Sequence, residues 1–184
     1  PGNNGGDGFV IARLLVARGW SVEVFLYGDL GKLPADARAN YARWTEIGEV
    51  APLDNDWNDP GEAEVIVDAL FGTGLTRPVA LPRVLLALAE SRANGGSSPP
   101  GVRRGLDTRV VAVDMPSGLC SDSGRALTRE GWAPTEGGVG AVPAAEADLT
   151  VTFHALKQGH VLADCPGHTG RVFVHDIGIE TGVE

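Results

Sequence analysis

The sequence has few cysteines, little positive charge and no long apolar run. Its two cysteines, Cys120 and Cys165, lie far apart without a Cys-x-x-Cys pair, so they offer no disulfide framework and fit a reducing compartment. The 15 Lys and Arg against 24 Asp and Glu give a net charge of −9, which argues against a nucleic-acid or anionic-membrane surface. No apolar run approaches the ~20 residues of a membrane span. We therefore expect a cytoplasmic protein whose partners include neither nucleic acid nor a membrane.

Several catalytic signatures are absent as well. Residues 28–33 lack the spacing and the Ser or Thr of a phosphate-binding P-loop, and the strand-to-helix loop has no Gly-x-Gly-x-x-Gly. Ser117 lies outside a Gly-x-Ser-x-Gly elbow, so a hydrolase triad is unsupported. His160, Cys165 and His168 lie near one another in the sequence, with His154 upstream. They lack the paired spacing of a zinc site, and we expect them to be solvated loop residues.

The patterns that are present predict one α/β domain. Five apolar runs predict strands, at residues 22–27, 64–70, 110–114, 149–153 and 171–174. Helices are predicted at residues 9–18, where Gly19 ends the helix, at 34–47, and around the helically spaced Leu81, Val84, Leu85 and Leu88. Buried strands that alternate with helices predict a three-layer α/β/α sandwich with a Rossmann-like, mostly parallel sheet. Two Gly- and Pro-rich stretches, 93–107 and 125–147, are predicted to be inserted loops.

Residues 1–8, Pro-Gly-Asn-Asn-Gly-Gly-Asp-Gly, are the most informative stretch. Their glycines predict an irregular loop before the first helix, with Asp7 as its cap. Such a loop offers free N–H groups and a positive dipole end to a phosphate, although a plain turn is an equal alternative. A strand is expected before this loop, and the chain does not begin with Met. We therefore expect residues 1–184 to be a single domain of a longer protein, without its N-terminal segment.

Polar residues follow the predicted strands at the edge where ligands bind in parallel sheets. Asp68 and Asp114 each end a strand and could act as acid or base, or could simply cap loops. Thr73 and its neighbouring glycines could cradle a phosphate, or could form a plain turn. Thr152 ends a further strand, and Lys157 beyond it could contact a phosphate or lie in solvent.

A cation site is a further possibility at this edge. Asn4, Asp68 and Ser117 offer only oxygen ligands, as a hard cation prefers. Composition alone favours the alternative, that they are ordinary turn residues.

Taken together, these loops resemble the NAD(P)H-hydrate epimerase family, the N-terminal domain type of YjeF proteins. The similarity runs through five segments in the family's order over nearly the whole chain. They are Pro1-Gly2-Asn3-Asn4-Gly5-Gly6-Asp7-Gly8, Asp68-Ala69-Leu70-Phe71-Gly72-Thr73-Gly74-Leu75, Val113-Asp114-Met115-Pro116-Ser117-Gly118-Leu119, residues 147–153 with Lys157, and residues 170–179.

The resemblance implies an isomerase of nicotinamide nucleotide repair. The family interconverts the R and S forms of hydrated NADH and NADPH, and a dehydratase then repairs only the S form. Potassium would be held by Asn4, Asp68 and Ser117, and the reaction would use Asp114 with Lys157 as an optional second group. The damaged dinucleotide would contact Asn3, Asn4, Gly5, Gly6, Asp7, Gly72, Thr73, Gly74, Leu75, Thr76, Arg77, Pro78 and Asp114.

Partners and departures follow from the same resemblance. We expect a homo-oligomer that works with an S-specific dehydratase, which could be fused beyond residue 184. The family's N-terminal helical segment, which contributes to dimer packing, is absent, Met115 replaces the usual Ile, and Leu119-Cys120-Ser121 replaces a Leu-Asp stretch. Two alternatives stay open: a noncatalytic scaffold of the same fold, and an NAD(P)-dependent oxidoreductase, which the missing Gly-x-Gly-x-x-Gly disfavours.

Overall fold

A computed structural model of the protein describes residues 2–53, 63–93, 108–127 and 144–179. Over these ranges helices and strands alternate along the chain, with three short 3-10 turns at Leu30–Lys32, Gln158–Val161 and Cys165–Gly167. The elements are α1 (Gly2–Val16), β1 (Val24–Tyr27), α2 (Ala35–Thr45), β2 (Val50–Leu53), β3 (Val65–Asp68), α3 (Arg83–Ala93), β4 (Arg109–Val113), β5 (Leu149–Phe153) and β6 (Arg171–His175).

The described strands all pair in parallel and form two sheets. One sheet pairs β1 with β2, and the other has the order β3-β4-β5-β6. Parallel pairing brings the carboxyl ends of β3, β4 and β5 to one edge of the second sheet, which is where such sheets bind ligands. The predicted α/β architecture with parallel strands is therefore confirmed.

Strand β2 is the element that the sequence patterns do not predict. It contains Pro52, which cannot donate a backbone hydrogen bond and normally argues against a strand. Within the described residues β2 pairs only with β1, so it forms an edge, where proline is tolerated. The five predicted strands are present, each within a few residues of its predicted bounds.

Helix α1 begins much earlier than predicted. It runs from Gly2 to Val16, so residues 2–8 are helical and the predicted loop is wrong. Asp7 accordingly lies inside the helix and is not its cap. The end of α1 agrees better with prediction, because Gly19 has a φ of +86° and its N–H donates to the Val16 carbonyl at 2.9 Å.

The glycines of α1 allow close packing. A Cβ built on Gly6 would lie 3.0 Å from the Cα of Ala37 in α2, and one on Gly8 would lie 3.0 Å from the Cβ of Ala69. A side chain at either position would cost about 1–3 kcal/mol through overpacking, compared with the ~1 kcal/mol that a glycine costs in a helix interior. At Gly6 and Gly8 the neighbouring residues therefore leave no room for a side chain, which explains why glycine stands inside the helix at these two positions.

Two clusters of apolar side chains join the helices to the sheets. Phe9 of α1 and Trp44 of α2 pack with Val24, Leu26 and Val50 of the first sheet. Helix α3 packs on the second sheet; it begins at Arg83, so Leu81 precedes it. That cluster contains Val84, Leu85, Leu88, Val110, Ala112, Ala145 and Ala147. None of the helices in the described ranges is long and apolar enough to cross a bilayer.

The two predicted inserted loops fall largely on residues 94–107 and 128–143, which lie outside the described residues. The end of the second stretch is described, and it belongs to the core. Ala145 and Ala147 are buried, and the Ala145 N–H donates to the Ser117 carbonyl at 2.8 Å. Residues 144–147 form neither helix nor strand, in agreement with a loop, and the small side chains of Ala145 and Ala147 let this loop pack against the sheet.

Candidate active site

A cavity of about 550 Å³ lies where α1 begins and where the second sheet ends. Helix α1 contributes its first turns, the chain after β3 contributes a loop, and β4 and β5 contribute the residues at their carboxyl ends. The lining consists of Gly2, Asn3, Asn4, Asp7, residues 71–77, Asp114 and Phe153.

Most of the residues assigned to the dinucleotide by resemblance line this cavity. They are Asn3, Asn4, Asp7, Gly72, Thr73, Gly74, Leu75, Thr76, Arg77 and Asp114. Three others lie outside the lining: Gly5, Gly6, which is buried against Ala37, and the exposed Pro78. Phe71 and Phe153 line the cavity without having been predicted, because nothing in the sequence separates them from core aromatics.

Asp114 holds a fixed position at the cavity wall. Its Oδ2 accepts a hydrogen bond from the Thr73 N–H at 3.2 Å, and its Oδ1 accepts one from the Thr152 hydroxyl at 2.8 Å. Lys157 Nζ lies 3.2 Å from the same Oδ1 as an ion-pair partner. All three partners donate or carry positive charge, which suits an ionised carboxylate.

The backbone of Asp114 is unusual. Its φ is +69°, in the left-handed region that costs a non-glycine residue about 1–2 kcal/mol, less for Asp and Asn. Its N–H donates to the Val151 carbonyl at 2.7 Å, and its own carbonyl lies 2.8 Å from His160 Nε2. Strain of this kind at a cavity wall is common where a side chain must be aimed at a ligand.

Lys157 lies behind Asp114 and not in the cavity lining. Its ammonium group donates to the carbonyls of Phe153 at 2.7 Å and Ala155 at 3.0 Å, and to the Thr152 hydroxyl at 3.0 Å. These contacts use the three hydrogens of the ammonium group. Lys157 therefore lies beside Asp114, and its position favours holding Asp114 over touching a substrate.

Asp68 and Ser117 form a buried pair next to the cavity. Ser117 donates to Asp68 through its hydroxyl at 2.6 Å and through its backbone N–H at 2.8 Å. The Ser117 hydroxyl also accepts from the Phe71 N–H at 3.1 Å. Burial raises the pKa of Asp68, and the hydrogen bonds from Ser117 and Leu70 oppose that shift.

Asn4 brings a third polar group to this region. A Cβ built on Gly72 would lie 3.0 Å from Asn4 Oδ1 and 3.2 Å from Asp114 Oδ2, so only glycine leaves room for both side chains. The Asn4 Nδ2 atom is buried and has no hydrogen-bond partner among the described residues. Because the two ends of an amide exchange by a half-turn of the group, an oxygen can occupy that buried position instead.

The residues predicted to hold potassium fit a monovalent cation in their chemistry. Ser117 retains one oxygen lone pair and Asp68 Oδ2 retains another, and a flipped Asn4 would add an amide oxygen without a partner. All are hard oxygen donors. A zinc-type site is a different matter, since no three His, Cys, Asp or Glu side chains of the described ranges group together to bind a metal.

The residues that we expected to be solvated near the C-terminus are partly buried. His160 is 2% exposed, and Cys165 is fully buried, where desolvation raises the pKa of its thiol to about 11. His168 Nδ1 lies 3.1 Å from the Ala145 carbonyl. The expectation is therefore wrong for His160 and Cys165, because this segment folds back against the end of β4.

Asp7 is a second carboxyl group in the cavity. Burial and the neighbouring charge of Asp114 both raise its pKa. Asp7 and Asp114 thus form a pair of carboxyl groups in different surroundings. Hydrogen-bond donors and Lys157 hold Asp114, whereas the raised pKa of Asp7 favours its protonated form. Such pairs are typical of acid and base partners in enzymes.

Ser121 supports the cavity loop and was also not predicted. Its hydroxyl donates to the Thr73 carbonyl at 3.1 Å, and its carbonyl accepts from the Gly159 N–H at 2.6 Å. It therefore ties the loop after β3 to the segment that carries Lys157 and His160. Its sequence signal is weak, since a serine in a turn is common.

A parallel α/β fold with a polar cavity at its strand ends is the architecture of Rossmann-like nucleotide-binding domains. A family model described as "YjeF-related protein N-terminus" matches residues 1–159. The chain belongs to this family, and the family prediction is confirmed.

Similar proteins cover nearly all of the chain. An NAD(P)H-hydrate epimerase of Rhodobacter capsulatus is 43% identical over 180 residues, which is 97% of this chain and 71% of the relative. An NAD(P)H-hydrate epimerase of Roseobacter litoralis is 37% identical over 196 residues, which cover 97% of this chain and 74% of the relative. A bifunctional NAD(P)H-hydrate repair enzyme of Thermofilum pendens is 36% identical over 183 residues, 96% of this chain and 30% of the longer relative.

Proposed function

We propose that the chain is an NAD(P)H-hydrate epimerase, which interconverts the R and S hydrates of NADH and NADPH. The observation that carries this proposal is the Asp114 carboxylate, held at the cavity wall by Thr73, Thr152 and Lys157. The similarity to epimerases over 97% of the chain supports the same reaction.

The cavity suits a dinucleotide. The N-terminus of α1 presents backbone N–H groups and a positive dipole end at Gly2 and Asn3, which favours a phosphate. Arg77 adds a cationic side chain to the lining. Phe71 and Phe153 add apolar surface against which a nicotinamide ring can pack. These features support a pose in which the phosphates lie on the side of α1 and Arg77.

The reaction inverts the carbon that bears the hydroxyl group. When the C–O bond breaks, the hydroxyl takes a proton and leaves as water, and the ring nitrogen donates its electron pair to form a C=N bond. Water then adds to the opposite face, loses a proton and restores the neutral ring. No redox change occurs, and no water is consumed in total.

Two carboxyl groups can handle these protons. In this proposal Asp7 would supply the proton to the leaving hydroxyl, since burial and Asp114 shift its pKa in the direction that favours the protonated form. The Asp114 carboxylate stabilises the cationic ring and takes a proton from the returning water. Transfer of that proton from Asp114 to Asp7 closes the cycle. Lys157 then acts by holding Asp114 and not as the proton donor to the substrate.

We further propose that Asn4, Asp68 and Ser117 hold a potassium ion. The unpartnered amide atom of Asn4 and the free lone pairs of the Asp68–Ser117 pair support this assignment. When bound, the cation supplies a positive charge that compensates the buried carboxylate of Asp68 and stiffens the cavity loop.

Three broader features complete the proposal. An S-specific NAD(P)H-hydrate dehydratase is the functional partner, since some relatives are named as bifunctional repair enzymes. A homo-oligomer and a cytoplasmic location are also proposed, the latter because Cys120 and Cys165 are both free thiols. That residues 1–184 form one domain, and that a dehydratase follows it, stay predictions.

The decisive experiment follows repair of a mixture of R and S NADPH hydrates. Excess S-specific dehydratase is added, so that the S form disappears in a fast phase and the R form waits for epimerisation. Addition of this chain should convert the slow phase into a much faster one, compared with the spontaneous rate without it. An unchanged slow phase would overturn the proposal and favour a noncatalytic scaffold. Net oxidation or reduction of NADP would favour an oxidoreductase instead.

A further inference from the structure

His160 makes a hydrogen bond through each of its ring nitrogens. Nδ1 lies 3.1 Å from the backbone N–H of Lys157, and Nε2 lies 2.8 Å from the backbone carbonyl of Asp114. A backbone N–H can only donate, so Nδ1 must be the acceptor and Nε2 must carry the proton. The ring is therefore a single neutral tautomer. Burial lowers the pKa of His160, which favours the same neutral form.

The carbonyl that His160 holds belongs to the one strained residue at the cavity wall. Asp114 has a φ of +69°, and its N–H is already engaged with the Val151 carbonyl. With the Asp114 N–H held by Val151, rotation about the N–Cα bond of Asp114 would break the contact from His160 to its carbonyl. The same rotation would turn the carboxylate away from Thr73 and Thr152.

The segment that carries His160 is itself fixed. The Gly159 N–H donates to the Ser121 carbonyl at 2.6 Å, and a Cβ on Gly159 would lie 2.5 Å from the carbonyl oxygens of Cys120 and Ser121. The imidazole is 2% exposed, so water does not compete for its contacts. His160 can therefore transmit a fixed position to Asp114.

We propose that His160 is a positioning residue for Asp114, which locks the strained backbone and so aims the carboxylate into the cavity. The proposal rests on the proposed function for its kinetic test. A core histidine that only filled space would need neither the defined tautomer nor both hydrogen bonds.

Two substitutions separate the contacts of His160. His160→Gln places an amide N–H near the former Nε2 and keeps the bond to Asp114, whereas His160→Asn keeps a group near Nδ1 and loses that bond. We expect kcat for NADPH-hydrate epimerisation to fall roughly 10²-fold in His160→Asn, with KM within about threefold. His160→Gln should stay within about tenfold of the parent kcat. His168→Asn, which alters a histidine bonded to Ala145, is the matched control and should leave kcat near the parent value.

Nitrogen-15 NMR of the imidazole rings tests the tautomer without any substrate. The signals of the His160 ring are identified by their loss in both His160 variants. We expect these signals to report a neutral ring that is protonated on Nε2 near pH 7. A ring protonated on Nδ1, or on both nitrogens, would overturn the proposal. So would a folded His160→Asn with normal kcat, or a loss of kcat that is equal in His160→Gln and His160→Asn. If the parent chain has no epimerase activity, the proposed function fails, and the NMR result still decides whether His160 holds Asp114.

Discussion

Ser117 binds both carboxylate oxygens of Asp68, through its hydroxyl at 2.6 Å and its backbone N–H at 2.8 Å. The two residues are 49 positions apart, and Asp68 is the last residue of β3 whereas Ser117 follows its parallel neighbour β4. Both are buried, Asp68 being 2% exposed. The pair thus fastens the ends of β3 and β4 together beside the cavity, and it leaves oxygen lone pairs that can face a cation.

Replacement of Asp68 should remove the response to potassium. In Asp68→Ala we expect activity to become independent of whether the salt is potassium chloride or choline chloride. The loss of the acceptor for two Ser117 donors should lower the free energy of unfolding by about 1–3 kcal/mol. Epimerase rates in the two salts and urea denaturation measure these effects.

Ser117→Ala is the matched variant for this prediction. It removes the hydroxyl but keeps the backbone N–H that binds Asp68. It should therefore weaken the potassium response without abolishing it, and it should cost less stability than Asp68→Ala. A parent protein whose activity ignores potassium would show that the cation assignment is wrong.

Gly5 and Gly6 offer a second matched pair of substitutions. A Cβ on Gly6 would lie 3.0 Å from the Ala37 Cα, while a Cβ on Gly5 would meet no described atom within 4 Å. Gly6→Ala should destabilise the protein by about 1–3 kcal/mol through overpacking. Gly5→Ala should stabilise it by about 0.5–1 kcal/mol, because alanine is a better helix former. Thermal and urea unfolding decide the sign, and equal effects at the two positions would contradict the packing role of Gly6.

The limits of the sequence patterns are visible in these same residues. Strand ends at Asp68 and Asp114 could be predicted, because apolar β-branched runs stop there, and a parallel sheet then places both at one edge. The helical state of residues 2–8 could not be predicted, because the spacing of the glycines carries no information on how closely α2 packs against them. The role of His160 was equally hidden, because it depends on a backbone carbonyl 46 positions away.

Asp7 should make stability depend on pH in a defined direction. Its pKa is raised above the ordinary 3.8 by burial and by Asp114. The folded chain therefore binds the Asp7 proton more tightly than the unfolded chain does. The stability that this binding contributes is present below pH 3.8 and is lost as the pH rises through the raised pKa of the folded state. Asp7→Asn removes the ionisation, so its stability relative to the parent should increase between pH 4 and pH 7.

Urea denaturation of both proteins at these two pH values measures the effect. Asp176→Asn, at an exposed residue after β6, is the control and should show no comparable trend. If Asp7→Asn instead loses stability relative to the parent as the pH rises, the unfavourable ionisation of Asp7 in the cavity is refuted. The same variant should lose turnover, because it can no longer donate a proton.

Asp114→Asn tests the centre of the proposed chemistry. Asparagine tolerates a positive φ and retains an oxygen acceptor, so the fold and much of the hydrogen bonding should survive. It cannot accept a proton or pair electrostatically with Lys157. We expect turnover to fall by ~10²–10⁴, as is typical when a positioned acid or base is lost. Dinucleotide affinity should stay within about tenfold, or ~1.4 kcal/mol.

Single-turnover conversion of the R hydrate, followed by NMR, and calorimetric binding of the dinucleotide separate the two effects of Asp114→Asn. Asp176→Asn again serves as the control, because its carboxylate contacts Gly178 and lies outside the cavity lining. Near-normal turnover in Asp114→Asn would move the proton chemistry to another group, with Asp7 and then Lys157 next to be tested. Joint loss of binding and turnover would make Asp114 a substrate-holding residue. Only a loss confined to turnover fits a carboxylate that acts on the bond being broken, because substrate binding alone does not require its charge.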